Sequence, residues 1–178
     1  MSKFKILFIN LYILSIAFSA CQTNKEKDSK EEDFRTIEVN NRFSIQIPSI
    51  LKQDSTLSED ASLALANPIK ELYTIVIEDP KTEFFNAITE NRLDSVYSKD
   101  LDGYSKLLKT GMLDNISEIY QETDPIKTTI NGLESHTLEV AGKIEDVKIY
   151  YYVAHIKGKD TFYQIITWTL LNRKEMHK

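Results

Sequence analysis

A tight turn at Asn131-Gly132 constrains the fold of this chain more than any other short segment. Asn and Gly both accept the positive φ angles of a two-residue hairpin, and here they separate two segments rich in β-branched residues. Two longer segments follow, in which apolar and polar side chains alternate on the period of two that is typical of a β-strand. The four predicted strands are Ile126–Ile130, Leu133–Val140, Val147–Ile156 and Thr161–Leu171.

Two further strand pairs are predicted in the first half of the chain. Asn40-Asn41 separates Thr36–Val39 from Arg42–Ile47, and asparagine tolerates the left-handed backbone of a tight turn. Ala61–Ala66 and Leu72–Ile77 flank a second turn. Both sides of Leu72–Ile77 are apolar, which indicates a central strand that is covered on both faces.

The middle of the chain is predicted to be helical. A short helix is predicted over Lys81–Thr89. A long amphipathic helix is predicted over Leu93–Met112, where apolar residues recur at steps of three and four. Gly103 lies inside this pattern and indicates a bend, because glycine is a poor helix former. Asn172–Lys178 matches only the start of another helix.

The order of these elements between Arg42 and Trp168 carries a family resemblance. It rests on Phe43–Pro48, Ile130–Leu133, the tyrosine-rich strand at Tyr150–Tyr152, and Phe162–Ile165. On these segments the chain resembles the PsbP/DcrB-like superfamily. The resemblance implies an α+β fold in which helices pack on both faces of an antiparallel sheet, an α/β/α sandwich. Such domains usually end in a complete helix, act by binding, and supply no catalytic residues or cofactor to expect here.

The first residues of the chain have the three parts of a secretory signal peptide. Met1–Lys5 is short and basic, Ile6–Phe18 is apolar, and small residues follow. A membrane-spanning helix needs about 20 apolar residues, so the apolar run favours a cleaved leader, residues 1–20, over an uncleaved anchor.

Phe18-Ser19-Ala20-Cys21 ends this leader and resembles a bacterial lipobox, with Phe18 where leucine is commonest. The resemblance implies cleavage before Cys21 and acylation of its thiol and its new amino group. Two or three acyl chains anchor a protein stably, because each buried CH₂ contributes about 0.8 kcal/mol. Gln22, rather than Asp, resembles the second residue of lipoproteins sent to the outer membrane, so we expect a lipid-anchored envelope protein there, on the periplasmic side or at the surface.

Residues 21–34 are predicted to be the lipidated cysteine and a disordered tether, because Gln22–Asp33 has no apolar residue to bury. Its acidic, lysine-containing start also resembles the export signals of some Bacteroidetes surface lipoproteins. A solvated linker explains the same composition. The globular domain is predicted to cover residues 35–178.

Composition excludes several classes of function. Cys21 is the only cysteine, which excludes an intramolecular disulfide, a catalytic cysteine and a thiolate metal cluster. The whole chain has a net charge of −5, and the mature chain about −7 once Lys3 and Lys5 are removed. An acidic domain without a basic stripe is a poor candidate for binding nucleic acid.

No catalytic or metal motif is present in the sequence. His136 and His155 lack the spacing of zinc ligands, and Lys109 stands where a calcium loop that includes Asp100 needs a bidentate glutamate. Both histidines lie in predicted strands, where they either approach each other or are ordinary residues of the sheet surface. We therefore expect a protein that is not an enzyme and holds no metal.

Aromatic residues of the last strands form a candidate binding surface. Tyrosine is enriched at binding surfaces, and the outward-facing members of the set would be Tyr150, Tyr152, Tyr163 and Trp168. The alternative is that these side chains are core beneath the helices.

The sequence therefore predicts a non-enzymatic binding or assembly module with a protein partner in the envelope. The first alternative is a small-ligand or lipid-binding module, with a pocket between sheet and helix lined by Tyr97, Tyr104 and Tyr151. The second alternative is a hydrolase that depends on His136 or His155.

Overall fold

The structure of the chain, a computed structural model, describes residues 33–177. This part of the chain has a mixed fold dominated by antiparallel sheet. The helices are α1 Lys81–Glu90 and α2 Leu101–Leu113, with a 3₁₀ helix at Leu171–Met176. The strands are β1 Phe34–Val39, β2 Phe43–Pro48, β3 Lys52–Gln53, β4 Leu63–Asn67, β5 Leu72–Pro80, β6 Glu118–Glu122, β7 Ile126–Ile130, β8 Leu133–Ile144, β9 Val147–Lys157 and β10 Thr161–Leu170.

An eight-stranded antiparallel sheet forms the centre of the fold. Its strands lie in the order β3-β4-β5-β10-β9-β8-β6, and β7 also pairs with β8. The long strands β5, β10, β9 and β8 are neighbours, so the middle of the sheet is built from the segments with the strongest alternation. Strands β1 and β2 form a separate two-stranded sheet.

The predicted hairpin turns are confirmed by their backbone angles. Asn40 and Asn41 have φ angles of 48° and 56° between β1 and β2, and Asn131 and Gly132 have φ angles of 50° and 80° between β7 and β8. These are left-handed conformations, which asparagine and glycine adopt more readily than other residues. The predicted pairing of β4 with β5, and the two long strands β9 and β10, are also confirmed.

Both α-helices pack against one face of the large sheet, here called the helix face, which carries Phe162 and Ile166 of β10. Phe84 of α1 and Tyr104 of α2 form a hydrophobic cluster with Phe162. Met112 of α2 packs against a second cluster that includes Ile166. Phe162 and Ile166 point to the same side because alternate residues of a strand share a face.

The opposite face, called the hairpin face, carries Ile165 of β10 and Val76 of β5. It is covered mainly by the two-stranded sheet, whose Val39 and Ile47 pack in one cluster with Val76 and Leu65. The prediction of helices on both faces is therefore wrong. The apolar side of β1 and β2 packs on the hairpin face in place of a helix. It removes the apolar side chains of the hairpin face from water, as a helix would.

The 3₁₀ helix adds a small polar cover at another part of the hairpin face. Lys174 Nζ lies 3.1 Å from Glu139 Oε2 and 4.2 Å from the centre of the Tyr150 ring. The start of a helix predicted at the end of the sequence is thus a 3₁₀ helix whose lysine contacts the sheet.

Helix α2 begins at Leu101, rather than at Leu93 as predicted. The Asp100 carboxylate caps it and accepts a hydrogen bond from the Gly103 N–H at 3.0 Å. Leu93 and Tyr97 still pack against α1 and α2. Their apolar spacing therefore reflects burial in an irregular segment, and the pattern alone could not distinguish this from a helix.

The predicted signal peptide, Cys21 and all but the last two residues of the predicted tether lie outside the described residues. Phe34 already belongs to β1, one residue before the predicted domain boundary at 35. Within residues 33–177 no helix is long and apolar enough to cross a membrane. The three hydrophobic clusters of this part give it a core of its own, so we expect it to fold without residues 1–32.

Two glycines of α2 provide a matched stability prediction. A Cβ atom at Gly103 would lie 1.9 Å from the Ser98 carbonyl oxygen, whereas at Gly111 no atom lies within 4 Å. We expect Gly103→Ala to lower the free energy of unfolding by about 1–3 kcal/mol, because the Ser98 backbone must move. Gly111→Ala should raise it by up to about 1 kcal/mol through helix propensity. Urea unfolding followed by circular dichroism measures both changes, and equal effects would contradict this packing.

Candidate functional site

An apolar cavity of about 620 Å³ lies between the C-terminal half of α2 and the helix face of the sheet. Ile75, Ile166 and Trp168 contribute to it from the sheet, and Leu108 and Met112 contribute from α2. Its volume falls in the range of about 300–1,000 Å³ that is usual for small-molecule sites. The lining residues are Ile75, Leu107, Leu108, Gly111, Met112, Asn115, Ile116, Ile144, Tyr151, Gln164, Ile166 and Trp168.

The space exists in part because α2 presents a glycine to it. Gly111 lines the cavity, and no atom lies within 4 Å of the position that its Cβ would occupy. Gly111 is also exposed, so it lies at the mouth of the cavity, where a larger side chain has room. The helix therefore reaches over the sheet here without filling the gap beneath it.

Stacked aromatic rings hold Trp168 in its place in the lining. The Trp168 and Tyr73 rings are 5.4 Å apart between centres and nearly parallel, at 15°. Tyr151 lies on the other neighbouring strand, with its ring centre 6.4 Å from that of Trp168. Such ring pairs add stability beyond the burial of their area. Trp168 is the only tryptophan of the chain, so its fluorescence reports on this cavity alone.

The predicted pocket is displaced along α2 from where the sequence suggested. Of Tyr97, Tyr104 and Tyr151, only Tyr151 lines the cavity. Tyr104 packs closely on Phe162, with ring centres 4.6 Å apart, and its hydroxyl donates a hydrogen bond to Asp79. The first turn of α2 therefore lies on a filled aromatic cluster, and the open space begins farther along the helix.

The four aromatic residues of the predicted binding surface do not share one face. Tyr150, Tyr152 and Tyr163 lie on the hairpin face, whereas Trp168 lies on the helix face. The reason is the register of β9 and β10, in which Trp168 is paired with Tyr151, the residue between the two outward tyrosines. A surface made of all four is therefore impossible in this fold.

The three tyrosines of the hairpin face also differ in exposure. Tyr150 is only 8% exposed, beneath Lys174, and Tyr163 is half-buried with its ring 5.5 Å from that of Phe43. Tyr152 is 44% exposed. Of the predicted surface residues, Tyr152 is thus the member that the hairpin face offers most openly to a partner.

A buried polar cluster lies beside the cavity, where α2 crosses β8 and β9. His136 and His155 are directly paired across these strands, and each is only 1% exposed. The Ser105 hydroxyl lies between them, 2.9 Å from His136 Nδ1 and 3.0 Å from His155 Nδ1. The prediction that the histidines approach each other is confirmed. The alternative, ordinary residues of the sheet surface, is wrong because α2 covers them.

The neighbours of this cluster determine which nitrogen of each imidazole carries hydrogen. The NH₂ group of Gln164, which only donates, lies with its Nε2 3.4 Å from His155 Nε2, so this imidazole nitrogen accepts and His155 Nδ1 carries the hydrogen. The Ser105 oxygen then accepts from His155 Nδ1. The Ser105 hydroxyl donates to His136 Nδ1, which leaves the hydrogen of His136 on Nε2, 3.4 Å from Asp102 Oδ1 and without a hydrogen-bond partner among residues 33–177.

Ser105, His136 and Asp102 are the residue types of a catalytic triad, but a substrate has no access to the serine. Ser105 is fully buried, and its oxygen is enclosed between two imidazoles, so no substrate carbonyl can approach it. Among residues 33–177, no group of three or more His, Cys, Asp or Glu side chains is placed to hold a metal ion. Through the two hydrogen bonds of Ser105 the cluster joins α2 to β8 and β9.

Sequence reasoning missed the cavity residues Gln164, Ile75 and Gly111. A signal for Gln164 was available, because Gln164, Ile166 and Trp168 lie two residues apart and therefore share one side of β10. No sequence pattern indicated that α2 lies above that side of the sheet.

Comparison with known proteins supports the fold. No protein-family model matches the chain, and no curated protein matches its sequence. The chain is similar to cyanobacterial PsbP (CyanoP) from Synechocystis sp. PCC 6803, with 11% identity and a TM-score of 0.50 over 82% of this chain and 85% of that one. It is also similar to a Pseudomonas aeruginosa protein of unknown function, with 10% identity and a TM-score of 0.46 over 81% and 88% of the two chains. The resemblance to PsbP is thus confirmed for the fold alone.

The environment of His155 disfavours its protonated form. Burial, and then the neighbouring His136, lower the pKa of His155 from 6.5 to about 4. The other groups that face it are neutral: Ser105 and Tyr104 from α2, and Gln164 from β10. In the unfolded chain the same imidazole takes up a proton near its ordinary pKa of about 6.5.

This difference predicts a loss of stability in acid. As the pH falls from about 6.5 to about 4, the unfolded chain binds the proton first, and the free energy of unfolding should fall by about 3 kcal/mol from this group. Below about pH 4 the folded chain also binds the proton and the loss from this group stops. Urea unfolding of wild type and His155→Gln across this range measures the effect, and parallel pH profiles of the two proteins would contradict it.

Proposed function

We propose that this chain is a non-enzymatic binding module that takes the apolar part of a small ligand into the cavity beneath α2. In this proposal Cys21 is lipidated and holds the domain at the bacterial outer membrane, and residues 21–34 are the tether. The observation that carries the proposal is the open cavity of about 620 Å³.

The lining of the cavity supports apolar binding. Most of its residues are aliphatic or aromatic, and a few polar side chains, among them Gln164 and Asn115, are set among them. Small-molecule sites have this composition, because apolar contact supplies the affinity and a few polar groups fix the orientation. The stacked ring of Trp168 provides a firm surface for a ligand to lie against.

The polar cluster next to the cavity supports a role without catalysis. The serine and histidine nitrogens that could act as nucleophile and base already bond one another, and α2 covers them. A reaction at Ser105 would require α2 to leave the sheet. This favours binding over the hydrolase alternative.

The proposed location rests on the sequence of the leader. A protein held at a membrane by acyl chains meets amphiphiles at high local concentration, which suits an apolar site. Assembly with a protein partner in the envelope stays a prediction, and Tyr152 is the residue at which to place a photocrosslinker for a pull-down from membranes.

Ligand binding is tested with N-phenyl-1-naphthylamine, an uncharged fluorescent probe, and residues 22–178, which include the whole described core. We expect the probe to gain fluorescence and to receive energy from Trp168, the chain's only tryptophan. Gly111→Phe should raise the dissociation constant about tenfold or more, since it places a ring at the mouth of the cavity and obstructs ligand entry.

Thr110→Phe is the matched control, because it adds the same ring at the adjacent position, which is exposed and does not line the cavity. Its binding should equal that of wild type. Equal binding by Gly111→Phe and wild type, or absence of energy transfer from Trp168, would contradict a site beneath α2.

Membrane attachment is tested in cells with the full chain. We expect wild type to be processed, to gain the mass of its acyl chains and to fractionate with membranes, and Cys21→Ser to lose both the added mass and the processing at that position. Mass spectrometry and detergent partition measure these changes. If mass and partition are the same in both proteins, the lipoprotein proposal is wrong.

A further inference from the structure

The lining of the cavity carries no charged side chain among its twelve residues. The lysines of α2 nearest to it in sequence are engaged elsewhere. Lys109 Nζ lies 3.0 Å from Asp124 Oδ1, and Lys106 Nζ lies 5.6 Å from the centre of the Tyr97 ring. An anionic head group inside the cavity would therefore lose its water without gaining a counter-ion, which is strongly unfavourable.

Gln164 gives the cavity a hydrogen-bonding preference of a definite kind. It is only 7% exposed, and it lines the cavity on one side and contacts His155 on the other. The NH₂ group of Gln164 faces His155 Nε2, with 3.4 Å between the two nitrogens, and donates its hydrogen bond there. Its oxygen is then left as an acceptor with no hydrogen-bond partner among residues 33–177.

We infer that the ligand is an uncharged amphiphile, an apolar chain with a hydroxyl group that donates a hydrogen bond to the Gln164 side-chain oxygen. The inference rests on the function proposed above and names the ligand class of the same cavity. Long-chain alcohols and monoacylglycerols belong to this class. A hydroxyl satisfies the acceptor that an alkyl chain would leave unpaired, and it brings no charge that the lining cannot balance.

Three probes of equal chain length separate the contributions: 1-decanol, decyl methyl ether and decanoate. Each is used to displace N-phenyl-1-naphthylamine from residues 22–178 at about pH 8, where the carboxylate is ionised. We expect decanol to displace the dye at a concentration about tenfold lower than the ether, which has no donor, and lower still than decanoate.

Gln164→Met, which keeps the length of the side chain and removes the acceptor, tests the residue. In this variant the ratio between decanol and the ether should fall to about one. The comparison is made within one protein, so a change in dye affinity does not affect it. Wild-type measurements alone already test the ligand class if the variant fails to fold.

The outcomes distinguish this inference from the proposed function. If decanoate displaces the dye as well as decanol does, or the ether matches decanol in wild type, the ligand class is wrong while the apolar site stands. An unchanged ratio in folded Gln164→Met overturns the role of Gln164. If wild type does not bind the dye at all, the proposed function fails and this inference fails with it.

Discussion

The placement of α2 depends on one buried hydroxyl. Ser105 lies between His136 and His155 with a hydrogen bond to each, and the three groups are almost fully removed from water. Buried polar groups are costly unless they are paired, so a helix that slid or rotated on the sheet would leave two imidazoles unsatisfied. This cluster, together with the aromatic packing of Tyr104 on Phe162, restricts α2 to one position.

The cavity follows from that position. The first turns of α2 lie directly on the aromatic and polar clusters, so the helix is held close to β8, β9 and β10 at this end. Farther along, Leu108, Gly111 and Met112 of the helix and Ile166 and Trp168 of the sheet line an open space. The firmly packed end of the helix and the open end are thus two consequences of one docking arrangement.

The two faces of the sheet show why the long strands were predicted correctly while the elements that pack on them were not. Alternation in β5 and β10 indicated correctly that both faces are apolar and need a cover. It could not tell what the cover is, because a helix and the apolar side of a hairpin bury such a face equally well. Likewise, Leu93 and Tyr97 have a helical spacing although their segment is irregular. Both side chains pack into the hydrophobic cluster, as they would in a helix with the same spacing.

By itself the sequence determined the features that depend on neighbours along the chain. These are the turns at Asn40-Asn41 and Asn131-Gly132, the alternation of the long strands, and the amphipathic pattern of α2, each set by local backbone sterics and side-chain spacing. Only the tertiary structure decided the pairing of His136 with His155, the separation of Trp168 from the outward tyrosines, and the cavity beneath Gly111. The physical reason is that strand register and helix docking are fixed by contacts between residues far apart in sequence, and a shift of one residue exchanges the faces of a strand.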